Sequence, residues 1–104
     1  MTASDKREEA FEKKFAHDEE LKLRAKARRD YLLGLWAAEK LGLVGQAAEN
    51  YSKDLGLADV EARDLVAKVR KNFAAYGVMQ SEAQIRRIMT ELMTRAIAEI
   101  RAGR

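Results

Sequence analysis

The chain contains one histidine, His17, and no cysteine, so a metal centre or a nucleophile and base pair would have to be built from this imidazole and nearby carboxylates. Asp18, Glu19 and Glu20 follow it directly. On a helix consecutive positions are turned about 100° apart, so these three carboxylates diverge around the cylinder and cannot gather on one ion. The only imidazole also lies in the segment least suited to holding a Ser-His-Asp set rigid. Paired carboxylates are frequent, but none stands out from the acidic background as an acid and base couple. Gly42 and Gly45 are not followed by Gly-Lys-Ser or Gly-Lys-Thr, which removes a phosphate loop. Disulfides and thiolate chemistry are excluded outright. This inventory describes a binding protein and not an enzyme.

The side chains that remain suit recognition. Lys22, Arg24, Lys26, Arg28 and Arg29 form an all-basic run, Arg86 and Arg87 form a pair, and Trp36 is the only tryptophan. Guanidinium groups grip phosphate in bidentate fashion and an indole face can stack on a purine, so Arg28, Arg29, Trp36, Arg86 and Arg87 are candidate nucleotide-binding residues. The structural alternative makes the basic run a solvated helix face with pairs such as Glu20 and Arg24, and makes Trp36 a core anchor whose indole N–H finds a partner at the edge of the body. Twenty Lys plus Arg against seventeen Asp plus Glu gives a net charge of only +3. Nucleic-acid binders carry a stronger and more segregated bias, so no nucleic-acid partner is expected, although a nucleotide- or nucleic-acid-binding regulator remains the runner-up.

Phe11 and Phe15 are the only large apolar anchors in the first twenty residues, and they share one helix face among Lys6, Arg7, Glu8, Glu9, Glu12, Lys13 and Lys14. Burying both rings contributes roughly 3 to 6 kcal/mol. Ordering about fifteen residues costs on the order of 1 to 2 kcal/mol each. The segment therefore reads as a flexible, helix-capable arm that completes its apolar contacts on a partner.

The elements that must carry these groups are helical. The 104 residues include no Pro and six Gly, 47% are hydrophobic, and strand-like alternation is absent over any useful length. Only Gly34 interrupts a helical run from about Ser4 to Leu41, in which Leu21, Ala25, Leu32, Leu35 and Trp36 form an apolar stripe widened by Tyr31 and Leu33. Close approach of another helix, or a hinge, would explain that glycine. Gly42 and Gly45 bracket a turn. A short helix from about 46 to 55 is expected to bury Ala47, Ala48, Tyr51 and Leu55 and to stop at a left-handed Gly56. A third helix starting near Asp59 as N-cap is expected to bury Ala62, Leu65, Val66, Val69, Phe73 and Tyr76 and to stop at Gly77. Ser81 and Gln84 form a capping box for a fourth, whose apolar face runs from Ile85 through Ile88, Met89, Leu92, Met93, Ala96 and Ile97 to Ile100. Met79, Met89 and Met93 read as core filler. The expectation is an all-α fold, a small four-helix bundle over residues 19–104 with the arm at 1–18. No secretory h-region and no run of about eighteen apolar residues is present, so a cytoplasmic location without membrane insertion is expected.

Two blocks carry a family resemblance: Phe11-Glu12-Lys13-Lys14-Phe15-Ala16-His17-Asp18-Glu19-Glu20-Leu21, and Ala27-Arg28-Arg29-Asp30 with Leu32-Leu33-Gly34-Leu35-Trp36-Ala37-Ala38-Glu39-Lys40-Leu41-Gly42. They resemble the zeta subunits of alphaproteobacteria, small inhibitors of the F-type ATP synthase, and Gln84-Ile85-Arg86-Arg87 is similar to that family's last helix. The resemblance implies a regulator whose arm enters the catalytic head between alpha and beta subunits beside the gamma stalk and blocks rotation in the hydrolytic direction. It places Phe11, Lys13, Lys14, Phe15 and His17 at the partner interface and the protein at the cytoplasmic side of the inner membrane, peripheral to it through the synthase. It also implies weak ADP or ATP binding by the bundle, with no cofactor required.

Overall fold

The computed structural model describes the backbone of residues 3–58 and 60–103 and the side chains of 17–58 and 60–103. Among these residues the chain forms four helices and no strand: α1 (Ala3–Lys40), α2 (Gly45–Leu57), α3 (Ala62–Ala75) and α4 (Glu82–Arg101). The expected all-α fold is present. α1 runs through the expected boundary at residues 18 and 19; the side chains of Phe11, Lys13, Lys14 and Phe15 lie outside the described residues.

Local chemistry sets most of the ends. α1 and α3 both stop in a Schellman motif, where a glycine takes the left-handed conformation that side chains resist. At the first, Gly42 has φ 76° and donates to Glu39 O at 3.1 Å while Leu43 donates to Ala38 O at 2.9 Å. At the second, Gly77 has φ 71° and donates to Ala74 O at 3.3 Å while Val78 donates to Phe73 O at 2.8 Å. α4 opens with the expected capping box: the Ser81 hydroxyl accepts from the Gln84 amide at 3.1 Å, and the Gln84 side chain accepts from the Ser81 amide at 2.8 Å.

Two expected ends differ. Gly56 lies inside α2, which continues to Leu57, and its φ is not positive. It is selected by proximity instead, since a Cβ there would stand 3.2 Å from the Cβ of Tyr31. α3 begins at Ala62 with Glu61 as an N-cap that makes no side-chain bond, so the cap is not Asp59, which lies outside the described residues. Asp64 in its first turn complements the positive end of the helix instead.

α1 packs against α2 on one side and α4 on another, and α3 closes on α4. The core draws Leu33 and Ala37 from α1, Leu55 from α2, Leu65, Val66, Val69 and Phe73 from α3, and Ile85 and Met89 from α4. Leu33 is therefore central, and Leu35, expected inward, is exposed because it faces away from both flanking helices. In α2 the inward position is Ser52 and not Ala47, which is exposed. Ser52 is tolerated because its hydroxyl donates to Ala48 O at 2.8 Å. Tyr76 and Met79 are exposed, against expectation, since both lie beyond the last residue of α3 where no helix covers them.

Candidate functional site

The part of α1 between His17 and Ala25 meets the C-terminal end of α4. His17 is exposed there, and with Leu21 and Arg24 it borders a cleft closed by Ile100 and Arg101. On the other side of α1, Leu21, Lys22 and Ala25 face Met93 and Ile97 across a second groove. No group of three or more His, Asp or Glu able to hold a metal occurs among the described residues.

The five candidate nucleotide-binding residues separate into distinct environments. Trp36 packs edge-on against Phe73, with ring centroids 5.5 Å apart and an interplanar angle of 66°. It belongs to the wall of the core, as the structural alternative expects. Arg28 Nε donates to Glu99 Oε2 at 2.8 Å, and its guanidinium lies 5.5 Å from the centre of the Tyr31 ring. Arg95 Nε donates to the other oxygen of Glu99 at 2.9 Å. Hydrogen bonds from Arg28 and then Arg95 hold the Glu99 carboxyl below the usual carboxylate range. Tyr31 in turn donates to Glu49 at 2.9 Å, and this bond, with burial, raises its phenol above the ordinary value. Arg28 is thus engaged in joining α4 to α1. Arg87 is exposed and makes no hydrogen bond or ion pair among the described residues.

Arg29 and Arg86 do come together. Both line an open groove of about 390 Å³ whose other walls are Ala62 and Val66 from α3 and Met89, Thr90, Met93 and Thr94 from α4. Arg86 is held by Glu82, donating through Nη2 at 2.7 Å and Nε at 3.1 Å to the same oxygen. Arg29 is mostly buried; its Nε donates to Asp30 Oδ1 at 3.0 Å, and Nη2 lies 3.0 Å from the same oxygen. That Nη2 is buried and makes no hydrogen bond among the described residues, because both nitrogens converge on one acceptor and only Nε is aligned with it. Asp30 is 1% exposed. Burial raises its carboxyl above the usual carboxylate range, and Arg29 and Lys26 only partly oppose this.

Sequence reasoning did not single out Asp30 or Glu99, the two carboxylates that decide what these arginines can do. Asp30 left a signal, being a charged residue beside the apolar stripe positions Leu32 and Leu33. Glu99 left none, since its spacing assigns it to the solvated face of α4.

The described residues form a small helical body with arginine-lined grooves, an architecture suited to binding. The model of the family ATPase inhibitor subunit zeta matches residues 1–99, and the chain belongs to that family. It is accordingly an inhibitor subunit of the F-type ATP synthase, in a family of regulators and not of catalysts. No curated protein matches the chain. Among the described residues no helix is long and apolar enough to cross a membrane.

Proposed function

We propose that the protein inhibits ATP hydrolysis by inserting residues 1–18 into the catalytic head, between alpha and beta subunits beside gamma. Phe11 and Phe15 are the apolar anchors, and Lys13, Lys14 and His17 set register and encounter rate. The carrying observation is that, among the described residues, the buried apolar side chains drawn from α1 begin at Ala25, and none of residues 17–24 is fully buried. The arm's two rings then gain their contacts only in a cleft of the partner. A cleft that opens in one rotary state gives inhibition by differential binding to that state. The protein acts from the cytoplasmic side, peripheral to the inner membrane through the synthase. ATP hydrolysis by the isolated head tests this: the full chain inhibits, and a chain beginning at Asp18 does not. Equal inhibition by both chains would overturn the arm model.

A second reading has its own observation. The buried, unbonded Arg29 Nη2 lies in a side chain that shares a groove with Arg86, a place suited to the phosphates of ADP or ATP. Arg28, Arg87 and Trp36 lie outside that groove's lining, so recognition there rests on phosphate more than on base stacking. Titration of ADP into the wild-type chain and the Arg86→Gln variant checks it, with weaker binding expected in the variant.

A further inference from the structure

The groove between α1, α3 and α4 contains two cations but is not poised to use both. Arg29 Nε donates to Asp30 Oδ1 at 3.0 Å, Nη2 lies 3.0 Å from the same oxygen without bonding it, and Asp30 is almost fully buried. The carboxylate is therefore an internal anion already resting on the guanidinium that any external anion would seek. Resting on the phosphate-groove reading above, we infer that anion binding in this groove is linked to proton uptake by Asp30. The external anion and the ionised carboxylate compete for Arg29, and protonating Asp30 removes the competitor.

The surroundings of Asp30 favour this exchange. On its own helix the charged neighbours are Arg29 and Lys26. On the α2 side its wall is Gly56, Leu57 and Ala58, none of which titrates. Across the groove the facing charge is Arg86, which Glu82 holds. Among the described residues no second acid lies beside Asp30 to take up the proton in its place, and burial already pushes its carboxyl upward. An anion placed beside Arg29 adds negative charge nearby and pushes it further in the same direction. By reciprocity, lowering the pH tightens the anion.

The probe is sulfate, which stays dianionic throughout the range used, titrated by calorimetry or amide shifts into the full chain between about pH 5 and 7.5, above the ordinary carboxylate range. Wild-type affinity rises as the pH is lowered. Asp30→Asn, which mimics the neutral acid in shape, binds roughly ten-fold tighter than wild type at the upper end and loses most of the pH dependence. His17, Glu82 and Glu99 are common to both proteins and cancel in the comparison. Identical affinities and slopes would overturn the linkage while leaving the groove as an anion site. No sulfate binding by either protein would overturn the groove reading and the linkage with it. Should Asp30→Asn fail to fold, the carboxyl carbon shift of Asp30 in wild type, followed against pH with and without sulfate, decides the matter: the titration moves to higher pH with sulfate, and an unmoved titration overturns the proposal.

Discussion

A Cβ built on Gly34 would stand 2.6 Å from the Cα of Ser52, so α1 and α2 are pressed together backbone to backbone at this point. Replacing Gly34 by Ala would ordinarily gain about 1 kcal/mol of helix propensity. Here the obstacle is backbone, which cannot swing aside, and overpacking of this kind costs about 1 to 3 kcal/mol. The second effect wins. Gly34→Ala is expected to lower the midpoint of thermal unfolding by several degrees, on a scale of roughly 4 to 8 °C per kcal/mol for a body of this size. An unchanged or raised midpoint would show that the helices part without loss.

Alanine at both Phe11 and Phe15 separates partner binding from folding. The variant should lose inhibition by at least roughly ten-fold, as expected of apolar interface anchors. Its thermal midpoint should remain that of the wild-type protein, because the body's buried apolar residues begin downstream at Ala25 among the described residues. Parallel loss of both properties would place the rings in the core.

Glu99 contributes to the acid limb of stability. Its carboxyl is held low by Arg28 and Arg95, so the folded form binds a proton less readily than the unfolded chain. The stabilisation is present above the unfolded glutamate value of about 4.3 and is lost as the pH falls through the lowered folded value. Denaturant titrations between about pH 2.5 and 6 should show wild type losing more stability on acidification than Glu99→Gln. Asp30 works in the opposite sense: its carboxyl is raised, so its contribution weakens as the pH climbs from the unfolded value through the folded one.

Tyr51 donates its hydroxyl to Asn72 Oδ1 at 2.9 Å, which ties α2 to α3, and burial pushes its phenol up to about 12. Since the unfolded phenol titrates near 10, this group's stabilisation is complete below about pH 10 and fades as the pH rises toward the folded value. Phenolate absorbance should show a tyrosine that ionises well above the ordinary phenol value of about 10. Tyr51→Phe should destabilise by about 1 kcal/mol and abolish that late step.

Helix count, the capping box at Ser81 and the glycine stops at Gly42 and Gly77 were legible in the sequence because each depends on residues a few positions apart. The phenylalanine pair stands out in the sequence for a similar reason, since two large rings in a charged run are visible without a fold, although their side chains lie outside the described residues. Leu35 and Leu33 were harder. Both fit an apolar stripe, and which one turns inward depends on where α2 and α4 lie around α1. Gly56 shows the same limit from another side: its sequence context matches a helix stop, but the requirement it meets is the nearness of Tyr31.

The candidate site divides along the same line. Arg29 and Arg86 are far apart in the chain and are brought to one groove only by the packing of α4 on α1, while Arg28, equally basic, is drawn off by Glu99. Residue types and short-range spacing determined the helices and their capped ends. Which arginines face each other, and that a buried carboxylate stands beside one of them, was decided by tertiary packing, because Coulomb and hydrogen-bond energies depend on distances of a few ångströms that sequence separation does not encode.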